Sequence, residues 1–263
     1  MPGAKPVGFW GASFCKKENR SPKIARMAIS GQELARGNSM ITVYTMEREY
    51  PYGTLRSTNG SKTKVVLEEK CLDYRVERVR MGNIFKKIPE VLAKHPLGKV
   101  PWIDDDDFTV YDSTVINEYL NEKSPTNPLL PIKAAARAHA RALENYGDEG
   151  VLSKYLPMIW VPWWSPEDQR DQESMQKGRD GLSNDILPFL EATLASREYL
   201  AGDFSLADVP MMAVAMVLQV DGLDTSAFEN VSGYFARLRA RPSYRAIDPN
   251  PSLDDSAGSR LEQ

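Results

Sequence analysis

A proline-rich break divides this chain into two stretches with different hydrophobic periodicity. Residues 124–131 read S-P-T-N-P-L-L-P. Each proline lacks a backbone donor and fixes φ, so regular structure must stop there. Strand and helix patterns alternate before the break, whereas only helical patterns follow it. We therefore predict an α/β domain over residues 40–124, a linker over 125–132 and an all-α domain over 133–247.

The α/β stretch carries enough pattern to give an element order. Period-two and β-branched segments predict strands, and 3.6-residue patterns predict helices. The strands cover residues 41–44, 74–79, 102–103 and 109–111, and the helices cover residues 61–71, 89–94 and 113–123. The order is βαβαββα, and residues 47–55 are predicted as a loop before the first helix.

The second stretch predicts helices alone, over about residues 133–158, 166–195, 206–220 and 231–240. The third of these follows a capping box, Ser205-Leu206-Ala207-Asp208, in which Ser205 caps the helix and Asp208 reaches back. The apolar run after it predicts a helix buried on every side, with its methionines in the core.

Both ends of the chain differ from the middle. Residues 1–39 are basic, contain few acidic residues and show no clear period. We expect a disordered extension, or an upstream start with Met40 opening the functional chain. A transit peptide is the alternative, since such segments are basic and poor in acid. Residues 248–263 lack apolar anchors, which predicts a loose tail.

Composition argues against several classes of protein. The formal net charge of −3 does not suit a nucleic-acid partner. The apolar run at residues 211–218 is far shorter than the roughly 20 residues that cross a bilayer. Cys15 and Cys71 are the only cysteines, and His95 and His139 the only histidines. The sequence therefore predicts neither a disulfide framework nor a metal site, and we expect a cytoplasmic protein.

Two short motifs point to a ligand. L-G-K-V-P at residues 97–101 places a proline just before a strand. Y-D-S-T at residues 111–114 places a carboxylate and a hydroxyl at the start of the next helix. An extended backbone edge beside an anion-binding helix start suits a small, peptide-like ligand.

These motifs, the proline-rich linker and S-L-A-D at residues 205–208 together resemble the cytosolic glutathione transferases over about residues 40–247. The resemblance implies a thioredoxin-like N-terminal domain, an all-helical C-terminal domain, a homodimer and glutathione as co-substrate. It also implies that Pro101 is a cis-proline and that the backbone of Val100 pairs with the cysteinyl part of glutathione. Asp112 and Ser113 would bind the γ-glutamyl end, although many relatives have Glu in place of Asp112.

The glycyl carboxylate of glutathione requires positive charge or amide donors. F-K-K-I-P-E at residues 85–90 is similar to an H-K-K-P-E run of plant-type members, which makes Lys86 a candidate. Phe85 replaces the His and cannot donate a hydrogen bond. Lys99 offers a second contact. For each lysine, a solvated surface charge is the alternative.

The resemblance also implies that a hydrogen-bond donor at the start of the first helix activates the glutathione thiol, aided by the helix dipole. R-S-T-N-G-S-K at residues 56–62 is similar to the T-P-N-G-x-K signature of a microbial subgroup, with Thr58 in place of the proline. The candidate donors are Ser57, Thr58, Asn59 and Ser61, of which Ser57 is the first choice and Asn59 the second. Tyr52, in the preceding loop, is a lesser candidate and also a predicted contact for the electrophile.

An aromatic cluster follows the linker. Residues 155–164 read Y-L-P-M-I-W-V-P-W-W, and Tyr155, Trp160 and Trp163 are predicted to line an apolar wall that accepts the electrophile. Core or subunit packing is the alternative for each of them.

The predicted function is that of a glutathione transferase acting in detoxification. The activated thiol attacks a hydrophobic, aromatic electrophile by conjugation, ether cleavage or dehalogenation. A glutathione-dependent disulfide reductase is one alternative. A non-catalytic, transferase-like binding or regulatory module is another.

Overall fold

The computed structural model describes residues 40–50, 53–80 and 88–249. The predicted extension at residues 1–39 lies outside the described residues, and so do Tyr52, Lys86 and residues 250–263 of the predicted tail.

A mixed sheet forms the centre of the first half. Its strands are β1 (Ile41–Thr45), β4 (Tyr74–Arg78), β5 (Trp102–Asp105) and β6 (Phe108–Tyr111). Their order in the sheet is β4-β1-β5-β6, with β1 parallel to β4 and the other pairs antiparallel. The register places Tyr44, Trp102 and Tyr111 side by side on β1, β5 and β6, and we call this set the edge row.

Residues 47–55, predicted as a loop, instead form most of an antiparallel hairpin. Its strands are β2 (Glu47–Tyr50) and β3 (Gly53–Arg56). The loop prediction was wrong because a short polar hairpin gives little hydrophobic pattern and depends on tertiary contacts. Lys64 Nζ supplies one by donating to Glu47 Oε1 at 2.7 Å. The guanidinium groups of Arg56 and Arg78 lie 3.9 and 3.7 Å from the same carboxylate.

The first half contains three helices. They are α1 (Thr58–Glu69), α2 (Pro89–Lys94) and α3 (Ser113–Lys123). The last two have the predicted bounds, whereas α1 begins earlier than predicted because Ser57 caps it. The segment of α1 from Gly60 to Leu67 is buried at every position, since the helix packs between α3 and the helical half of the protein.

The second half is helical within the described residues. Its α-helices are α4 (Ala134–Asn145), α5 (Leu156–Trp163), α6 (Gln172–Gly181), α7 (Leu187–Leu194), α8 (Val209–Asp221) and α9 (Glu229–Arg239). π-Helical turns occur at Tyr146–Leu152 and Leu182–Ile186, and 3₁₀ turns at Glu167–Gln169 and Pro242–Ala246.

The two long helices predicted for residues 133–158 and 166–195 are each broken into shorter segments. Gly147 lies in the first π-helical turn, and a Cβ there would come within 2.7 Å of the Pro210 side chain. This close approach of the turn to α8 depends on tertiary packing, which hydrophobic periodicity does not report.

The predicted capping box is present only in part: its side chains stabilise the turn before α8, but the helix begins at Val209 with Asp208 as the N-cap, so Ser205 does not cap it as predicted. Asp208 Oδ2 accepts from the Ser205 backbone N–H at 2.9 Å, and Ser205 Oγ accepts from the Ala207 N–H at 3.3 Å. The following residues, Val209–Leu218, are buried as predicted.

The mixed sheet with its helices and the helical second half together confirm the predicted fold class, a thioredoxin-like half followed by an all-helical half.

Within the described part of the chain, the helices are all too short or too polar to span a membrane.

Candidate active site

Three of the predicted segments meet at one end of the sheet, next to the edge row. The first helix is held there because the Ser57 N–H donates at 2.9 Å to the carbonyl of Met46, the residue that follows β1. Residues 100–101 directly precede β5, and residues 112–113 directly follow β6. Since the edge row places these strand ends side by side, the thiol-activating, cysteinyl and γ-glutamyl candidates lie along one edge.

Ser57 is oriented by its own helix. Its Oγ accepts from the Gly60 N–H at 3.2 Å, which makes it the N-cap of α1. Because the oxygen is the acceptor in that bond, the hydroxyl proton is available to donate elsewhere. Asn59 lies exposed in the first turn of the same helix. Both candidates therefore stand at the positive end of α1, where a thiolate would be stabilised.

The segment before β5 is organised by His95. The Gly98 N–H donates to the His95 carbonyl at 2.7 Å, and the Leu97 N–H donates to His95 Nδ1 at 3.2 Å. The imidazole packs against Tyr111 with ring centroids 5.0 Å apart. The peptide bond between Val100 and Pro101 is cis, as the family resemblance implied.

The electrostatics of His95 connect this segment to the start of α3. Burial lowers the pKa of His95, the carboxylate of Asp112 acts in the opposite direction, and Lys99 lowers it further. Lys99 itself is exposed, which agrees both with a contact to the glycyl carboxylate and with a solvated surface charge. The three side chains are thus near enough to influence one another at this edge.

Asp112 caps α3. Its Oδ1 accepts from the N–H groups of Thr114 at 3.0 Å and Val115 at 3.3 Å. Both of these bonds use the same carboxylate oxygen, Oδ1. The backbone φ of Asp112 is 72°, a conformation that L-residues rarely adopt. A carboxylate held in this way stands at the exposed corner between β6 and α3.

Ser113 belongs to a buried polar network that sequence reasoning missed. Lys62 Nζ donates to Ser113 Oγ at 3.1 Å and to both carboxylate oxygens of Asp148 at 2.6 Å. Thr114 Oγ1 also donates to Asp148, at 2.8 Å. The network joins α1, α3 and the π-helical turn at Tyr146–Leu152, so it ties the two halves of the protein together beneath the predicted γ-glutamyl corner.

Glu144 lies one helical turn before Asp148. It is buried, and neither of its carboxylate oxygens has a hydrogen-bond partner. Burial raises the pKa of Glu144 to about 8, with Lys62 opposing that shift and Asp148 and Glu118 adding to it. Glu144 is therefore protonated at neutral pH, because an ionised carboxylate without partners is costly to bury.

The aromatic candidates have different surroundings. Trp160 Nε1 donates at 2.9 Å to the carbonyl of Arg56, the residue before Ser57. Trp163 is half-buried, and the guanidinium of Arg170 lies 4.0 Å from its ring centroid. Tyr155 is buried in the helical half, where its hydroxyl donates to Asp185 and its ring fills the space above Gly181.

These placements sort the predicted site residues. Ser57, Asn59, Lys99, Val100, Pro101, Asp112 and Ser113 lie at the common edge, and Trp160 lies behind it. The described residues contain no group of three or more His, Cys, Asp or Glu side chains able to hold a metal. Sequence reasoning did not predict a role for four residues here: Lys62, Thr114, Asp148 and Glu144. Three of them, Lys62, Thr114 and Asp148, act through contacts with residues that are distant in sequence.

Comparisons with known proteins agree with this architecture. The family models described as "Glutathione S-transferase, N-terminal domain" and "Glutathione S-transferase, C-terminal domain" match residues 56–123 and 151–242, together more than half of the chain. Glutathione S-transferase 1 of Zea mays is 27% identical over 205 residues, which span 74% of this chain and 94% of that protein. A stringent starvation protein A homolog of Pasteurella multocida is 24% identical over 185 residues, covering 70% and 82%.

A solved structure shares the fold. The theta class glutathione S-transferase of Xanthomonas axonopodis pv. citri, determined with glutathione bound, superposes with a TM-score of 0.68 at 23% identity, covering 81% of this chain and 98% of that one. Taken with the two family models and the curated relatives, this fold places the chain in the glutathione S-transferase family.

Proposed function

We propose that this protein binds glutathione along the edge row, activates its thiol with Ser57 and transfers it to a hydrophobic, aromatic electrophile. The observation that carries the proposal is the meeting of the Ser57 cap, the Val100–Pro101 segment and the Asp112–Ser113 corner at one end of the sheet. The Zea mays relative bears the name of a glutathione S-transferase, which supports glutathione as the co-substrate.

Each end of glutathione has a matching group at this edge. The backbone of Val100 would pair with the cysteinyl residue, and Asp112 with the γ-glutamyl ammonium. The Ser113 hydroxyl and N–H would take the γ-glutamyl carboxylate. Lys99, and Lys86 outside the described residues, would serve the glycyl carboxylate. The positions of these charged groups and hydrogen-bond donors therefore support glutathione as the ligand.

Ser57 acts on the thiol through its hydroxyl proton. A free thiol is only a few per cent ionised at neutral pH, and a donor directed at sulfur favours the thiolate. The sulfur lone pair then forms a bond to carbon of the electrophile. In a substitution the leaving group departs with its bonding electrons, and the thiol proton passes to solvent. Asn59 is the second candidate donor.

The electrophile would lie against α5. Half-buried Trp163 on α5 provides aromatic surface, whereas Trp160 is buried and supports the segment before Ser57 through its hydrogen bond to the Arg56 carbonyl. Tyr155 is left out of this wall because its hydroxyl and ring are engaged inside the helical half. Conjugation, ether cleavage and dehalogenation all use this arrangement, and a screen of aryl halides and aryl ethers with product identification distinguishes them.

The direct test is a titration of the glutathione thiol by ultraviolet absorbance, free and bound. We expect Ser57→Ala to raise the thiol pKa by about 1 to 2 units, the value of a hydrogen bond to a charged group. Ser61→Ala is the matched control, because Ser61 lies one turn further on α1 and donates to Met216 Sδ at 3.7 Å inside the core. An unshifted titration in Ser57→Ala and in Asn59→Ala would overturn the assignment of the donor.

Two other functions give different results in the same assays. The name of the Pasteurella multocida relative is not that of a transferase, which favours a binding or regulatory module as the second candidate. Such a module would fail to bind or activate glutathione. A glutathione-dependent disulfide reductase would bind glutathione but release a thiol from a disulfide substrate in place of a thioether product.

The assembly and location follow from the family. We propose a cytoplasmic homodimer with a role in detoxification and a signature of the T-P-N-G-x-K subgroup around Ser57. Tyr111 and Val115 are exposed apolar side chains near the start of α3, which supports an interface there. Sedimentation at several concentrations tests the dimer, and charged substitutions at Val115 should dissociate it.

A further inference from the structure

A lysine with no solvent exposure stands behind the γ-glutamyl corner. The side chain of Lys62 is 0% exposed, and its Nζ contacts Ser113, Thr114 and Asp148. A buried ammonium is costly unless it is paired and hydrogen-bonded, and here Asp148 supplies the counter-charge with both oxygens at 2.6 Å. An apolar residue at position 62 would pack the two halves together without the cost of desolvating an ammonium group. The presence of a charge there therefore needs a further explanation.

The hydrogen bond from Lys62 fixes the polarity of Ser113. An ammonium has donors and no acceptor, so Ser113 Oγ must be the acceptor in the 3.1 Å contact. The hydroxyl proton is thereby turned away from Lys62. Ser113 is the first residue of α3, and its backbone N–H belongs to the group of helix-start donors. The corner therefore presents two donors from one residue.

The other contacts keep this polarity in place. Asp148 is held by Lys62 and by the Thr114 hydroxyl, so it does not compete for the Ser113 proton in this arrangement. Glu144, buried close by, is protonated and adds no second negative charge. Glu118 and Arg141, which also face this cluster, form a bidentate ion pair with each other at 2.6 and 2.7 Å.

We propose that Lys62 is a positioning residue that holds Ser113 as a hydrogen-bond donor, so that the start of α3 selects a ligand ending in an ionised α-carboxylate over the same ligand ending in a carboxamide. The inference rests on the proposed binding of glutathione at this edge. A carboxylate accepts from both Ser113 donors. A carboxamide must turn its NH₂ group toward one of them, which leaves two donors facing each other without an acceptor.

Removal of Lys62 releases the Ser113 hydroxyl to rotate. Its proton can then point inward and its lone pair outward, which accommodates the NH₂ of a carboxamide. The selectivity of the site should therefore fall without a need for the ligand to move. A lysine that served only to hold the two halves together would instead weaken both ligands to the same extent.

The experiment measures the binding of two ligands to the full chain by calorimetry. One is glutathione and the other is its analogue with a carboxamide in place of the γ-glutamyl α-carboxylate. We expect the unchanged protein to prefer glutathione by about 10-fold to 100-fold, the equivalent of one opposed donor pair. Lys62→Met/Asp148→Asn removes both charges together and so avoids a buried unpaired carboxylate. In that variant the preference should fall at least fivefold, and Lys62→Arg, which keeps a donor-only group, should retain most of it.

Ser113→Ala completes the test. It should lower the preference by itself, and adding the Lys62 and Asp148 changes to it should lower the preference no further. Thermal unfolding of every variant establishes that it is folded at the temperature of the measurement. If the unchanged protein prefers glutathione and Lys62→Met/Asp148→Asn keeps the full preference, the role of Lys62 is overturned while the proposed function stands. If the unchanged protein binds neither ligand, the proposed function is overturned and this inference with it.

Discussion

The Nε1–H of Trp160 donates a 2.9 Å hydrogen bond to the carbonyl oxygen of Arg56. This bond connects the helical half of the protein to the backbone one residue before Ser57. The indole also packs edge-on against Trp164, with ring centroids 5.1 Å apart. The position of the thiol-activating candidate therefore depends on a residue more than a hundred positions away. It is one of the contacts through which the helical half supports the edge of the sheet at which the candidate site lies.

Trp160→Phe keeps an aromatic ring and removes this hydrogen bond. We expect kcat for glutathione transfer to fall about fivefold, because roughly 1 kcal/mol of positioning is lost at Ser57. Tyr155→Phe is the control, since it also removes one side-chain hydrogen bond near α5 but one that ends at Asp185. Equal losses of kcat in the two variants would mean that the effect is one of general stability.

Gly60→Ala tests the close contact between α1 and β1. A Cβ at Gly60 would lie 2.8 Å from Thr45 Cβ, and Thr45 is fully buried at the end of β1. We expect unfolding to become easier by about 1 to 3 kcal/mol, as for other overpacked sites. In the control Gly150→Ala, the nearest side-chain atom is 3.6 Å away in the Tyr146 ring, an ordinary van der Waals distance, and stability should change little. Urea unfolding of both variants measures the difference, and equal stabilities would contradict the steric argument.

Asp112 caps α3, and we propose that it also binds glutathione; substitution can separate these two roles. Asp112→Asn retains a side-chain oxygen that can cap α3 and removes the negative charge, whereas Asp112→Ala removes both. We expect both variants to bind glutathione about 10-fold more weakly with an unchanged KM for the electrophile. Only Asp112→Ala should also lose about 1 kcal/mol of stability. Calorimetry and thermal unfolding give the two quantities, and normal glutathione binding by Asp112→Asn would remove the carboxylate from the site.

Sequence alone predicted the elements whose signals are local. The bounds of α3 were predicted correctly because Asp112 caps its start and the proline-rich break follows its end. The hairpin at residues 47–56 was missed because its stability comes from the contact of Glu47 with Lys64, 17 positions away. The predicted long helices were divided by packing at positions such as Gly147, which no periodic pattern records.

The site was predicted less completely than the fold. Exposed residues next to the edge row, such as Asp112 and Asn59, could be found from motifs. The role of Lys62 could not be predicted, although Lys62 is the last residue of the R-S-T-N-G-S-K motif, because a lysine within a helix is normally read as a solvated charge and its partner Asp148 lies 86 positions away. Only the structure shows that the buried segment of α1 leaves no solvent face for Lys62.

Asp208→Asn tests the capping box before α8. The carboxylate is buried and accepts from the Leu200 N–H and the Tyr234 hydroxyl on Oδ1 and from the Ser205 N–H on Oδ2, at 2.9, 2.8 and 2.9 Å respectively. An amide has one accepting oxygen, so at least one buried donor loses its partner at a cost of about 1 to 3 kcal/mol. We expect Tm to fall by about 4 to 8 °C. Asp203→Asn, an exposed neighbour, should leave Tm unchanged, and a normal Tm in Asp208→Asn would contradict the assigned hydrogen bonds.

Glu144→Gln tests the buried carboxyl group beside the Lys62 network. Because the pKa of Glu144 is about 8 in the folded protein and 4.5 as its ordinary value, the folded state holds the proton over a pH range in which the unfolded state has lost it. This group therefore makes the free energy of unfolding fall as the pH rises from about 4.5 to about 8. Above that range the folded protein must bury an ionised Glu144 near Asp148 and Glu118, with Lys62 and Arg141 as the opposing charges.

The measurement is urea unfolding of the unchanged protein and of Glu144→Gln between pH 5 and pH 9. Glutamine has nearly the shape of the protonated acid and does not titrate, so the difference in unfolding free energy between the two proteins isolates Glu144. We expect the variant to gain stability relative to the unchanged protein by about 1.4 kcal/mol for each pH unit between 5 and 8, and to gain no more beyond it. A difference that stays constant across the range would show that Glu144 titrates alike in the folded and unfolded states. The Lys62–Asp148 pair would then have to tolerate a second buried negative charge at neutral pH.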